Sequence, residues 1–169
     1  LWYGVFISST TQGSQQIFGN YIGGNAPNCG GTALNGTLRT LNGIYLRALS
    51  TSNNTISGNV IRNINITKTS NAALEDGLIG IYTSRSNYTI TDNVMGDTTT
   101  NDNISVTGSS GITMFGAFIK ADSSNTLCIS GNTIGSVSIA TGSGCRFTAI
   151  SSGESYFNNY QSSNTKQVT

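Results

Sequence analysis

The sequence predicts an all-β fold: a right-handed parallel β-helix of about four to five coils, with 27–39 residues and three short strands in each coil. Three observations predict it: a motif centred on Asn that recurs along the chain, a motif centred on Gly that recurs upstream of it, and an uncharged polar composition. Ser, Thr and Asn make up 66 of the 169 residues, whereas only 15 residues are charged. Globular domains usually carry about a quarter charged residues, so this surface must consist mainly of hydroxyl and amide groups.

The Asn motif reads x-I-x-G-N-x-I-G, and its Asn recurs at intervals of 39, 34 and 39 residues. The copies are anchored at Asn20, Asn59, Asn93 and Asn132, with a weaker copy at Asn159. Apolar and polar residues alternate on each side of the anchor, which indicates strands rather than helices. We expect the Asn to occupy a tight turn, where it tolerates a left-handed backbone and its amide bonds the backbone and the anchors of the adjacent coils.

The Gly motif supplies a second column of strands, which stands 16 residues before the anchor in three coils and 13 in the third. Its copies begin at Gly4, Gly43, Gly80 and Gly116. A third apolar patch follows the anchor at Ile64 and Ile66, Ile104 and Val106, and Val137 and Ile139. Residues 1–160 are therefore assigned to the β-helix, residues 161–169 to a polar tail or the next coil, and Gly24 to Asn42 to the longest loop.

Alternation within the Gly motif separates an interior row from an outer row. The interior row holds Val5, Ile7, Ile44, Leu46, Ile81, Ala117 and Ile119, and the outer row holds Phe6, Tyr45, Tyr82 and Phe118. Arg47 and Lys120 follow two residues later on the outer parity. Two interpretations of these rings stay open. The rings either stabilise the sheet by stacking or lie under a covering loop, or they form a binding stripe for sugar faces or for a partner's apolar surface.

Little catalytic chemistry is available in the chain. His is absent, which removes Ser/His/Asp and Cys/His catalysis. Asp92 and Asp97 are the only candidate catalytic residues, because they belong to one coil, and no metal or cofactor is expected. Cys29, Cys128 and Cys145 have no metal-binding spacing, and their pairing stays open. An enzyme is therefore not favoured.

Charge and hydropathy exclude two further classes. The eight Lys and Arg residues are scattered and the net charge is +1, which argues against nucleic-acid binding. No apolar run is long enough for a membrane helix.

The T-I-x-G-N-x-I-G copies resemble the repeats of pectate-lyase-like parallel β-helix proteins, especially Asn/Thr/Gly-rich stretches of secreted bacterial surface proteins such as those of Bacteroidetes. The resemblance implies an extracellular structural or adhesive segment of a larger exported protein, with a glycan or a protein as partner and the rest of that polypeptide, or a neighbouring protein, covering its ends. Two alternatives are the scaffold of a polysaccharide lyase or hydrolase and a segment of a trimeric tail-spike or fibre.

Overall fold

The computed structural model describes residues 1–38, 40–49, 51–68, 78–84, 86–97, 103–108, 112–120, 125–141 and 146–152. These residues form seventeen β-strands and one short 3-10 helix, Pro27–Cys29. Every pairing between the strands is parallel and joins equivalent strands of successive coils. The chain is therefore an all-β parallel solenoid, as predicted.

The strands stack into four sheets that run along the solenoid. The first sheet contains β1 (Trp2–Ser8), β5 (Leu41–Arg47), β9 (Leu78–Ser84), β13 (Thr113–Lys120) and β17 (Arg146–Ser152). The second contains β2 (Gln16–Phe18), β6 (Asn53–Ser57), β10 (Asn87–Thr91) and β14 (Leu127–Ser130). The third contains β3 (Tyr21–Ile22), β7 (Val60–Ile61), β11 (Val94–Met95) and β15 (Thr133–Ile134), and the fourth contains β4 (Leu34–Leu38), β8 (Ile64–Lys68), β12 (Ile104–Gly108) and β16 (Val137–Thr141).

Three of these sheets hold four strands each and therefore span three intervals between coils, which makes about three turns of solenoid. This number is slightly lower than the four to five coils predicted. The weak fifth copy at Asn159 lies outside the described residues. Each coil contributes four strands rather than three. The difference arises at the anchor Asn, where one predicted strand is split into two by a bend.

The bend is made by the residue before the anchor and not by the anchor itself. Gly58 and Asp92 have φ values of 62° and 57°, and their equivalents Gly19 and Gly131 are also left-handed. None of the four anchor Asn residues has a positive φ. The expectation of a left-handed Asn was therefore wrong by one position, because Gly, without a Cβ, adopts this conformation at lower cost.

The anchor Asn residues do form the predicted ladder of amides. Asn59 Oδ1 accepts hydrogen bonds from the backbone N and Nδ2 of Asn20, at 3.0 and 2.9 Å. Asn59 Nδ2 in turn donates to Asn93 Oδ1 at 2.8 Å and to the Ile17 carbonyl at 3.0 Å. Asn93 repeats this arrangement with Asn132. Each bend is therefore bonded to the coils above and below it.

The interior follows the predicted alternation. The buried side chains include Ile44, Leu46, Ile81, Ala117 and Ile119 of the first sheet, Ile17, Ile56 and Ile90 of the second, Ile22, Ile61 and Met95 of the third, and Ile64, Ile66, Ile104 and Val106 of the fourth. Val5 and Ile7 of the first coil, and Ile129, Ile134, Val137 and Ile139 of the fourth, are partly buried and pack against this core. The apolar columns extend along the axis, interrupted in the first sheet by the buried Thr83, and their burial favours folding.

Close stacking explains the recurring Gly of the first sheet. A Cβ on Gly43 would lie 2.6 Å from the Gly80 carbonyl oxygen and 2.7 Å from Ile61 Cδ1. There is no room for a side chain where adjacent coils approach this closely.

The segment from Gly24 to Asn42 is not one loop, as the sequence analysis had assigned it. It contains β4, which pairs with β8 and supplies the fourth sheet of the first coil. Its motif is obscured because Gly36 occupies the position of Ile66 in the next coil. The inserted residues lie instead between β3 and β4. There, Asn63 Nδ2 and an Arg62 guanidinium nitrogen donate to carbonyls of the insertion.

Candidate functional site

Aromatic rings stack along the outer face of the first sheet. The Phe6 and Tyr45 ring centroids lie 5.1 Å apart with planes 17° from parallel, and the Tyr45 and Tyr82 centroids lie 4.7 Å apart at 3°. The parallel register pairs these residues directly, Phe6 with Tyr45 and Tyr45 with Tyr82. Phe6 is 55% exposed, and Tyr45 and Tyr82 are half-buried. The outward orientation predicted for these three rings is the one observed.

Tyr3 also belongs to this stack, which the sequence analysis missed. Its ring centroid lies 4.9 Å from that of Phe6 and 5.4 Å from that of Tyr45. Strict alternation from Val5 would place Tyr3 in the interior, but the alternation shifts by one residue at the intervening Gly4. The next coil shows the same shift, since Leu41 and Ile44 are both fully buried although they are three residues apart. A Gly inside a strand was the available signal, because Gly often marks such irregularities. We call Tyr3, Phe6, Tyr45 and Tyr82 the aromatic stack.

Among the described residues, the Arg47 side chain lies beside the middle of the stack. Arg47 is exposed and follows Tyr45 by two residues, in register with Ser8 and Ser84 on the adjacent strands. Burial within the stack raises the pKa of the Tyr45 hydroxyl, and the Arg47 guanidinium opposes that shift. The Tyr45 hydroxyl is therefore neutral at physiological pH and can donate a hydrogen bond. The described part of the site combines aromatic rings, the phenol hydroxyls of its three tyrosines and the Arg47 guanidinium.

The predicted row continues on β13, where Phe118 pairs with Tyr82 and Lys120 pairs with Ser84. Their backbones therefore lie one coil further along the axis, in the predicted columns. The side chains of Phe118 and Lys120 are outside the described part of the structure.

Asp92 and Asp97, the two candidate catalytic residues, each contact a different neighbouring residue. Asp97 forms an ion pair with Arg62, whose Nη1 lies 3.4 Å from Asp97 Oδ2. Asp92 occupies the left-handed bend, and its carboxylate lies against Gly131 of the next coil, where a larger residue would collide with it. Among the described residues no three His, Cys, Asp or Glu side chains are grouped as metal ligands would be.

Two of the three cysteines lie within the described residues. Cys29 and Cys128 are free thiols on different faces, and Cys145 lies outside the described residues. Cys29 is buried in the insertion between β3 and β4, with its Sγ 3.7 Å from the Val60 carbonyl oxygen. Burial raises the pKa of the Cys29 thiol, so less of it is ionised at neutral pH than of a free cysteine.

Two further aromatic residues of the first coil are exposed away from the aromatic stack. Phe18 is 67% exposed and Tyr21 is 56% exposed, one on each side of the bend at Gly19 and Asn20. In the next coil Phe18 pairs with Ser57 and Tyr21 with Val60, so no column of rings forms here. The isolated ring of Phe18 therefore provides a comparison for the rings of the stack.

No protein-family model, curated protein or solved structure matches this chain. In the described residues, no helix has the length and apolar character needed to span a bilayer. The assignment that the strand pairing supports is the architecture, a parallel β-solenoid built from β-helix repeats.

Proposed function

We propose that this chain is an adhesive β-helix segment of an exported protein, and that it binds a glycan through the aromatic stack. The observation that carries the proposal is the column of Phe6, Tyr45 and Tyr82, stacked in register across three coils with ring surface open to solvent. Large aromatic residues that combine an apolar ring with a solvent-exposed end are frequent at binding surfaces. The pattern of few charges and many hydroxyl and amide groups further supports an extracellular setting.

The geometry favours an extended ligand over a compact one. Rings on parallel strands recur at the strand spacing, so they offer equivalent contacts along one line. The stack is rigid because each ring packs on its neighbour, so little side-chain entropy is lost on binding. The outward ring edges and the exposed ring of Phe6 suit the C–H groups of sugars, and the Tyr45 hydroxyl and Arg47 supply hydrogen bonds at the edge of the line.

A glycan array, followed by titration calorimetry with each glycan retained, tests this function. We expect Phe6→Ala and Tyr45→Ala to weaken binding by at least about 10-fold, equivalent to about 1.4 kcal/mol. The matched control is Phe18→Ala, which removes a ring of similar exposure outside the stack and should leave the affinity unchanged. Circular dichroism establishes that each variant keeps its β structure.

Two results would contradict the proposal. The first is a parent chain that retains no glycan. The second is a glycan whose affinity is the same for the parent and for folded Phe6→Ala and Tyr45→Ala. If light scattering instead shows self-association that Phe6→Ala abolishes, the stack is an assembly surface, as in a fibre segment.

A further inference from the structure

The outer face of the fourth sheet contains a polar recess that is separate from the aromatic stack. Its volume is about 270 Å³, and it crosses β4, β8 and β12. The side chains that line it are Asn35, Thr37, Asn65, Thr67, Ser105 and Thr107. A recess of this size has room for several waters or for a short length of a polar polymer.

These side chains form two rows that run along the solenoid. One row consists of Asn35, Asn65 and Ser105, and the other consists of Thr37, Thr67 and Thr107, since the strands pair in that register. Members of a row are one strand spacing apart, about 4.8 Å, and the rows are separated by two residues along each strand, about 6.7 Å. The recess is therefore a trough with regularly spaced polar groups on both sides.

Contacts within the rows hold several of these groups in place. Asn65 Nδ2 donates to Asn35 Oδ1 at 3.2 Å, and the hydroxyl oxygens of Thr67 and Thr107 lie 3.4 Å apart. Asn35 Nδ2 also donates to the Ala33 carbonyl at 2.8 Å. Asn35, Asn65 and Thr67 are nevertheless exposed, so unused lone pairs and hydrogens remain available to a ligand. Positioned polar groups of this kind lose less entropy on binding than mobile ones.

The described side chains that line the trough are all neutral, and this composition favours a neutral ligand. Amides and hydroxyls offer both donors and acceptors, which is the requirement for binding sugar hydroxyls. These described side chains carry no charge, so they cannot compensate the desolvation of an ionic ligand. A purely apolar ligand would leave the amides unbonded.

We infer that this trough is a second binding site, for a neutral linear polysaccharide that lies along the solenoid axis. The polymer's repeating hydroxyls meet equivalent side chains on each successive strand. The inference does not rest on the aromatic stack, because it concerns different residues on a different sheet.

The test uses cellohexaose, mannohexaose and xylohexaose as neutral probes and oligogalacturonate as an anionic probe, each titrated by calorimetry. The protein is produced in a bacterial host without N-glycosylation, since Asn65-Ile66-Thr67 is an acceptor sequence. We expect at least one neutral probe to bind, and a combined Asn65→Ala and Thr67→Val variant to weaken it by at least 10-fold. Thr89→Val, which removes an exposed hydroxyl from β10 in the second sheet, should change the affinity by less than two-fold.

Phe6→Ala separates this inference from the proposed function, since it alters the aromatic stack and leaves the trough intact. Binding that survives Phe6→Ala and is lost in the trough variant supports the trough. The inference is overturned if no neutral probe binds, or if the trough variant, folded by circular dichroism, binds as tightly as the parent. It is equally overturned if the loss occurs only with Phe6→Ala, or if oligogalacturonate binds more tightly than every neutral probe.

Discussion

At the scale of single residues, Tyr88 and Asn54 show how the core accepts a polar side chain that forms a hydrogen bond. Tyr88 on β10 is buried, and its hydroxyl donates to the Ser84 carbonyl oxygen at 2.9 Å. In the same column the preceding coil has Asn54, whose Nδ2 donates to Ser86 Oγ at 2.9 Å. The following coil has Leu127 at this position. Three different residue types occupy one interior column, so the repeat motif did not reveal it.

The buried phenol predicts that stability falls at alkaline pH. Burial raises the pKa of Tyr88 to about 12, whereas a phenol in the unfolded chain ionises near 10. Between these values the unfolded chain releases the proton and the folded chain keeps it. The free energy of unfolding should therefore fall as the pH rises, by up to about 1.4 kcal/mol per pH unit.

Urea unfolding at pH 9, 10 and 11 measures this dependence. Tyr88→Phe keeps the ring and cannot ionise, so its free energy of unfolding should decline less steeply than that of the parent. Equal slopes for the two proteins would show that Tyr88 does not carry the effect.

At the scale of elements, the bend between the second and third sheets is the most regular feature of the solenoid. A left-handed residue turns the chain, and the Asn that follows bonds to the coils on both sides. The Asn side chain thus forms hydrogen bonds with backbone groups that would otherwise lack a partner at the bend. Buried backbone N–H and C=O groups need such partners.

Replacing one buried anchor should therefore be costly. Asn59→Ala removes Asn59 Oδ1, which accepts hydrogen bonds from the backbone N and Nδ2 of Asn20. It also removes Asn59 Nδ2, which donates to the Ile17 carbonyl. Each buried polar group left without a partner costs about 1–3 kcal/mol, and we expect a total loss of about 3 kcal/mol in urea unfolding. Asn65→Ala, an exposed Asn of β8, should cost less than about 0.5 kcal/mol. Similar losses for the two variants would argue against the ladder as a stabilising element.

At the scale of the whole molecule, each coil contacts only the coils adjacent to it. The stability of the solenoid is therefore approximately the sum of the coils' own stabilities and of the contacts between neighbouring coils. A central coil has two neighbours, and a coil at the edge of the described stack has one. The same substitution should therefore have different costs along the axis.

Ile61→Ala and Ile134→Ala compare these positions in the third sheet. Ile61 is fully buried between Ile22 and Met95, whereas Ile134 on β15 is partly buried and pairs only with β11 in the described structure. We expect a loss of about 3–4 kcal/mol for Ile61→Ala and about 1–2 kcal/mol for Ile134→Ala, because a cavity costs most where the surroundings cannot collapse. Equal losses would mean that the edge coil is as well packed as the centre.

The candidate sites differ in how far the sequence revealed them. The outward row of Phe6, Tyr45 and Tyr82 followed from alternation, since a strand has a fixed period of two. Tyr3 was missed because the alternation shifts at Gly4. The trough of the fourth sheet was missed because the first-coil strand β4 was assigned to a loop, so Asn35 and Thr37 had no predicted partners.

The sequence by itself determined the β-solenoid, most of the interior columns and the Asn ladder, since stacked coils require the same residue types at the same positions. Only the tertiary structure decided the local departures from that repeat: the left-handed residue before each anchor, the split of one strand into two, the position of Tyr3, and the ion pair of Asp97 with Arg62. The physical reason is that a repeat specifies what successive coils have in common. These departures depend on contacts between residues that are distant in the chain, and such contacts exist only once the coils have stacked.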